Sequence, residues 1–360
     1  MKVLVTGATG LVGSHAVAAL LEAGHEVRVL VRNERRVDHA LRPLGATRVE
    51  VVTGDVTHPR QVRAALQGCD AVVHAAALYT LDPRRDDEIQ RTNVRGTEHV
   101  LGAAVELGLD PILHVSSLSA LLPTRDAALG EDPAVSEAPI GAYGRSKARA
   151  EQIARALQAR GEPVTTLYPG AIWAPNDPTV GEGIETTLDF LRQGALPITP
   201  GGMTVVDARD LGKVIAAALV PGQGPRRFMA GGHWVTPADM ADIFEAITGR
   251  RFRRVRVPQA LIRALGRVGD LATRWLGTES PLTREATETL LSMVPTDDSA
   301  LTRELGVRLR PARETFVDTL RWAFETGRLT EREAGRLALA PLATARIRAS
   351  REARAAKHAA

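Results

Sequence analysis

Several residue types are scarce in this 360-residue chain, and each scarcity excludes something. There is one cysteine, Cys69, so no intrachain disulfide can form, which fits a reducing compartment. Beside Asp70, at the start of an expected strand, it reads as an inert thiol. No stretch approaches the ~18 uninterrupted apolar residues that a membrane-spanning helix needs. The amino terminus opens directly on the strand-like KVLVTG without the layout of a secretion signal, so a cytoplasmic location is expected. No metal site is expected.

The net charge of +4 is unevenly spread. Residues 331–360 hold seven basic and three acidic residues, so the other 330 are balanced at 39 of each. A neutral body argues against a nucleic-acid-binding face. The Ala/Arg-rich tail reads as a frayed or disordered helix, or as a weak contact to an anionic surface or partner.

Val-rich runs alternate with helical stretches in the first half. Strands are expected at 2–6, 26–32, 49–55, 70–76, 111–117 and 163–170, and helices at 11–24, 59–68, 89–108 and 142–161. The strands lack strict apolar–polar alternation, as expected when helices cover both faces. This rhythm predicts an α/β fold: a doubly wound parallel Rossmann sheet with right-handed crossovers. After Pro169 the rhythm changes. Residues 171–202 read as irregular or only partly helical, 203–220 as strand then helix, 226–232 as strand-like and 251–258 as an exposed strand. Helices are expected at 237–249 and near 259–276, 282–293 and 312–328. The expected division is a dinucleotide-binding domain (1–170 with about 203–222), a smaller interleaved α+β substrate domain (about 171–202 and 223–330) and the tail.

Glycines recur at i, i+3 and i+6 after the first strand: Gly7, Gly10 and Gly13, with Thr9, Leu11 and Val12 between them. The first permits the tight strand-to-helix turn, the second a close approach to a pyrophosphate, the third close helix packing. The helix amino terminus offers free N–H groups to the phosphates. Strand before and helix after make this a dinucleotide-binding loop. An NAD binder normally ends its second strand in an acid that accepts from the ribose 2′-OH. Here Arg32 stands there, with Arg35 and Arg36 nearby. A guanidinium suits a 2′-phosphate, so NADP is favoured over NAD, the alternative being Arg32 stacked over adenine. Asp55, followed by Val56, is placed to accept from the adenine amine.

Lysine is the rarer base: only Lys2, Lys147, Lys213 and Lys357 among 46 lysines and arginines. One of them follows a tyrosine by four residues, Tyr143 and Lys147, in a chain with three tyrosines. Chance would supply about 0.03 such pairs. Four apart on a helix, the two share a face.

Together, TGATGLVG, the Gly54–Asp55 pair, HAAA (74–77), TNVRGTEHVL (92–101), HVSS (114–117) and YGRSK (143–147) resemble the extended short-chain dehydrogenase/reductases. The group nearest in character holds dihydroflavonol reductases, 3β-hydroxysteroid dehydrogenases and hopanoid-associated sugar epimerase-like proteins. The resemblance runs to about residue 328 and includes DDSALTRELGVRLRP (297–311). It implies Tyr143 as proton donor/acceptor, Lys147 as its partner, and Ser117, rather than Ser116, as the binder of the substrate oxygen. It implies that Ala75, Ala76 and Ala77 line the cofactor, that Pro169, Gly170 and Ile172 lie beside the nicotinamide, and that Asn93 is structural. It implies homodimers through the helices at 89–108 and 142–161 in some members and monomers in others. Many members carry arginine before that proline; Tyr168 stands here, which argues against a sugar-nucleotide substrate.

The expected reaction is hydride transfer between a nicotinamide and a carbonyl or secondary alcohol. Lys147 and the oxidised nicotinamide are expected to acidify Tyr143; lowering its pKa by about three units needs ~4 kcal/mol. Tyr79 and Trp173 either wall an apolar substrate pocket or pack in the core. An uncharged, moderately bulky ligand is expected. The alternatives are a sugar-nucleotide epimerase holding NAD through an internal redox cycle, and a non-catalytic NADP-sensing regulator.

Overall fold

The computed structural model describes residues 1–80, 82–276 and 283–339. Strands β1 (Lys2–Thr6), β2 (Glu26–Val31), β3 (Val49–Thr53), β4 (Ala71–His74), β5 (Ile112–Val115) and β6 (Val164–Pro169) alternate with helices α1 (Leu11–Glu22), α2 (Arg35–Leu41), α3 (Pro59–Leu66), α4 (Asp86–Gln90), α5 (Gly96–Glu106) and α6 (Gly141–Ala159). β7 (Ala171–Trp173), α7 (Glu182–Gln193), β8 (Ala195–Ile198), β9 (Met203–Asp207), α8 (Ala208–Ala218), β10 (Arg226–Ala230), β11 (His233–Val235), α9 (Pro237–Thr248) and β12 (Arg253–Arg256) follow. The chain continues through α10 (Gln259–Leu276), α11 (Arg284–Ser292), α12 (Ser299–Leu305), α13 (Ala312–Glu325), α14 (Glu331–Ala334) and α15 (Arg336–Leu339).

The main sheet is parallel throughout, in the order β3-β2-β1-β4-β5-β6-β10. Successive side chains of β1 feed opposite cores: Val3 and Val5 pack beneath α1 and α8, while Leu4 packs with Val72, Leu101 and Ile112 on the other face. The chain reverses direction across the sheet between β1 and β4. Such a switch point opens a crevice at the carboxyl ends of the strands.

Two segments sit differently from the sequence-based division. Residues 226–230, expected in the smaller domain, are the seventh strand of the main sheet, paired with β6 from Arg226↔Thr165 to Ala230↔Pro169. Residues 203–207, expected in the larger one, pair with β7 and β11 in a separate three-stranded sheet. Local pattern marks both as strands; which sheet each joins depends on a pairing that short apolar runs do not encode. The stretch 171–202 is also more ordered than its Gly/Pro content suggests, with α7 at its centre.

The smaller lobe has its own aromatic core, in which Trp173, Phe244 and Phe316 pack edge to face. The 297–311 segment ties the lobes together. Asp298 accepts the backbone N–H of Gly231 and Gly232, and Arg310 forks onto Asp210 of α8 at 2.8 and 2.7 Å. The near part of the basic tail is folded, with Leu337 buried in the smaller core. Residues 340–360 lie outside the described residues.

Candidate active site

The glycine loop is built as its spacing requires. Gly7 has φ +75°, and a Cβ there would lie 2.7 Å from the backbone of Ala75 and Ala76. A Cβ on Gly13 would lie 2.1 Å from the Gly7 carbonyl oxygen. The loop after β1 thus lies against the HAAA segment after β4, at the switch point. Gly10 is the N-cap of α1 and has no side chain to cap the helix; the first turn contains no acid. Free N–H groups and the positive end of the helix dipole therefore face the crevice, a donor set of the kind that suits an anion.

A hydrogen-bond chain locks the floor. Ala76 N–H donates to Thr6 Oγ1 at 3.2 Å, and Thr6 Oγ1 lies 2.8 Å from His74 Nδ1. His74 Nε2 lies 3.2 Å from Thr97 Oγ1, which donates to the Asn93 carbonyl. Thr97 has committed its proton, so His74 carries its own on Nε2 and accepts at Nδ1. Burial holds His74 neutral, its pKa pushed down to about 3. His114 stacks on it at 5.8 Å and is pushed well below its usual range by the same burial.

Ser117 follows β5 in extended conformation and accepts from Ser119 N–H at 3.1 Å. Its hydroxyl also lies close enough to the Tyr143 phenol to pull that group's pKa down. Ser116 is buried, and of the HVSS pair it is Ser117 whose hydroxyl acts on the Tyr143 phenol. Lys147, one turn along α6, is buried; its ammonium donates to the Val115 carbonyl at 3.1 Å and stands 5.9 Å from the Tyr143 ring centroid.

The expected acidification of Tyr143 counts on Lys147 together with the charge of an oxidised nicotinamide, and Lys147 alone does not produce it. Burial pushes the phenol up to about 12, against the pull of the Ser117 hydroxyl and with a further push from Glu285. Burial also brings Lys147 down to about 8, despite the Glu151 carboxylate. Desolvation is the largest cause at both groups, and the ammonium is turned onto the Val115 carbonyl. The site holds a neutral phenol, the form that donates a proton.

Asn93 lies in a π-helical turn, Arg91–Arg95, between α4 and α5. It accepts from Leu78 N–H at 2.7 Å and donates to the Leu78 carbonyl and to Ser146 Oγ, while Ser146 donates to the Tyr143 carbonyl. The extra residue of the π turn rotates Asn93 inward, where it ties the 78–79 segment to α6. Tyr79 then packs edge-on against Tyr143 at 4.8 Å with its side chain half-exposed. Trp173 instead faces Phe316 in the smaller core. Of the two aromatics expected to wall a pocket or fill a core, Tyr79 meets the site and Trp173 fills the core.

Arg32 and Arg36 are exposed, and the charge of Arg32 reaches Asp55. Burial raises the Asp55 carboxyl, but Thr57 donates its backbone N–H and hydroxyl at 2.8 and 2.9 Å and holds it below its usual range. Val56 is buried. Pro169 ends β6; a Cβ on Gly170 would lie 2.3 Å from Thr204 Oγ1, and Ile172 packs under the sheet. Tyr168 is wholly buried: its hydroxyl donates to Glu151 at 2.5 Å and accepts from Arg155 at 3.1 Å.

One residue escaped the sequence-based reading. Glu285 of α11 accepts the backbone N–H groups of Ala142, Tyr143 and Gly144 at 2.9, 3.0 and 3.4 Å. It caps α6 from outside, since Ile140 at the N-cap has no acceptor. No local pattern signals a cap supplied 142 residues away.

The chain as a whole is similar to known proteins. Residues 3–231 match the model of the NAD dependent epimerase/dehydratase family. The chain is 30% identical to sterol demethylase protein B of Methylococcus capsulatus over 91% of its own length and 99% of that protein. It is also 30% identical to the 4-hydroxy-2-methyl-3-oxo-4-farnesyl-3,4-dihydroquinoline-1-oxide ketoreductase of Stigmatella aurantiaca, over 91% of this chain and 98% of the other. The solved structure of gox2253 superposes with a TM-score of 0.75 at 28% identity, covering 91% of this chain and 99% of that one. Among the described residues no helix is long and apolar enough to cross a membrane. The chain is an enzyme of the NAD dependent epimerase/dehydratase family, built on the extended short-chain dehydrogenase/reductase fold.

Proposed function

We propose that the enzyme reduces the carbonyl of a bulky, lipophilic ketone to a secondary alcohol with NADPH. The observation that carries this reading is the Tyr143 phenol, neutral, beside the Ser117 hydroxyl and under the Lys147 ammonium. A ketone oxygen received between the Ser117 and Tyr143 hydroxyls would take a proton from Tyr143 as hydride reaches its carbon. The hydride is what the nicotinamide supplies when bound. Lys147 keeps positive charge over the phenol as it loses its proton. The glycine loop with Thr9, Leu11 and Val12 would hold the pyrophosphate. Asp55 with Val56 would hold the adenine, Ala75–Ala77 the floor, and Pro169, Gly170 and Ile172 the nicotinamide side.

Arg32 and Arg36 in place of an acid after β2 support a 2′-phosphate, hence NADP over NAD. Tyr168 in place of arginine before Pro169 speaks against a sugar nucleotide. The names of both relatives point to large apolar substrates, a sterol and a farnesylated quinoline. The half-exposed Tyr79 beside Tyr143 suits an apolar wall.

The test is a panel of ketones, aldehydes and alcohols with both nicotinamides. The expected result is NADPH oxidation with a lipophilic ketone, lowered by about 10²- to 10⁴-fold in Tyr143→Phe, the usual contribution of a general acid. Turnover unaffected by that substitution, or tightly bound NAD co-purifying with sugar-nucleotide epimerisation, would remove the reading.

A further inference from the structure

Helix α10 wears its apolar residues on the side opposite to that of an ordinary globular helix. Its buried positions hold Ile262, Gly266, Gly269 and Thr273. A Cβ on Gly266 would lie 2.4 Å from Thr287 Oγ1, so the helix lies close on α11 through small residues. The bulky residues point outward: Leu261, Leu265, Val268, Leu271 and Trp275 are exposed, up to 79% for Trp275. Positions 261, 265, 268 and 275 recur at helical spacing and form one stripe. Six of the nine large apolar side chains exposed among the described residues lie between Val255 and Trp275, so this is a patch and not a scatter.

The same segment breaks the charge neutrality of the body. Residues 250–276 contain eight arginines against a single acid, Asp270. Arg254 and Arg263 are paired with acids of α9 and α11. Arg251, Arg253, Arg256 and Arg267 are exposed and form no ion pair with any described residue.

We propose that β12 and α10 form a docking face for an anionic phospholipid bilayer. The outward stripe of α10 enters the headgroup–acyl boundary, with Trp275 as the interfacial aromatic and the unpaired arginines meeting lipid phosphates. Charge complementarity selects this occupant. A second copy on the same face would set one arginine cluster against another, which repel, whereas an anionic leaflet neutralises them. The face stands one helix from the chemistry: α10 packs on α11, whose Glu285 caps the helix of Tyr143. Docking would bring the site to membrane-dissolved substrate; that clause alone rests on the reductase reading.

The test sediments the purified full chain with vesicles of phosphatidylcholine, alone or mixed with phosphatidylglycerol. The full chain is expected to pellet with the phosphatidylglycerol vesicles at low salt, to remain in solution with phosphatidylcholine alone, and to be released by high salt. Val268→Glu with Trp275→Glu abolishes pelleting and leaves the melting temperature and turnover of a water-soluble ketone unchanged. Arg253→Ser with Arg267→Ser lowers partitioning about thirtyfold. A wild-type chain left in the supernatant with anionic vesicles overturns the proposal, as does a glutamate double variant that pellets like wild type. So does a dimer in sedimentation equilibrium that the glutamate double variant splits. Vesicle binding with no ketone turned over upholds docking and overturns only the reductase reading.

Discussion

The carboxylate of Glu285 accepts the backbone N–H of Tyr143 at 3.0 Å, across 142 positions of sequence. The contact exists because Gly141 precedes it: a Cβ on Gly141 would lie 1.9 Å from Glu285 Cδ. A glycine and a distant acid together substitute for the missing N-cap of α6. Glu285→Ala strips the acceptor from three helical N–H groups. The expected outcome is a loss of about 1–2 kcal/mol in stability and a roughly tenfold fall in kcat with little change in cofactor affinity. Gly141→Ala should reproduce it. Steady-state kinetics and thermal melting check both; a kcat at wild-type level in either variant would show that the cap does not position Tyr143.

Lys147 is buried with its pKa at about 8, below its unfolded value of 10.5. At neutral pH the folded protein therefore carries a costly charge. The unfolded chain holds that proton more tightly, so stability should rise as pH climbs from about 8 to 10.5. Lys147→Met should stabilise the protein at pH 7 by about 2 kcal/mol, after allowing for the lost bond to Val115, while abolishing turnover. In the wild type kcat/KM for reduction should fall above pH ~8 as the ammonium is lost. A Met variant less stable than wild type in chemical denaturation would refute the account.

Acid should unfold the protein early. Burial holds His15 at about 4 and His74 at about 3, while their unfolded values lie near 6.5. Both stay neutral when folded but take up protons when unfolded. Stability is thus complete above pH 6.5 and is lost as pH falls toward 4. By pH 5 the two together should cost about 4 kcal/mol. Melting temperatures across pH 4–8 check this, and His74→Gln should flatten the curve.

Cofactor choice should turn on Arg32. Arg32→Asp removes a charge-assisted pair with a 2′-phosphate and offers an acceptor to a 2′-hydroxyl. kcat/KM with NADPH should drop about 10- to 100-fold, and that with NADH should rise. Equal effects on the two cofactors would rule out the assigned role.

Tyr168→Phe should test whether that position is structural. Glu151 has no exposed surface, and its Oε2 has no partner. Removing the tyrosine hydroxyl takes away one of the donors to Oε1 and should cost about 2 kcal/mol of stability, with turnover per folded molecule unchanged.

The glycine loop, the parallel strands and the Tyr143/Lys147 pair were legible in the sequence because each depends on neighbours within a few residues. Gly7 needs its left-handed turn wherever it stands, and residues four apart share a helix face in any fold. Tertiary structure decided what depends on long-range placement. It set which sheet received residues 203–207 and 226–230, and which of Tyr79 and Trp173 reached Tyr143. It placed Glu285 on the helix of Tyr143, and it made desolvation the largest influence on the phenol's acidity. Local sequence specifies periodicity and backbone freedom; solvent exclusion and contacts between distant segments exist only once the chain has packed.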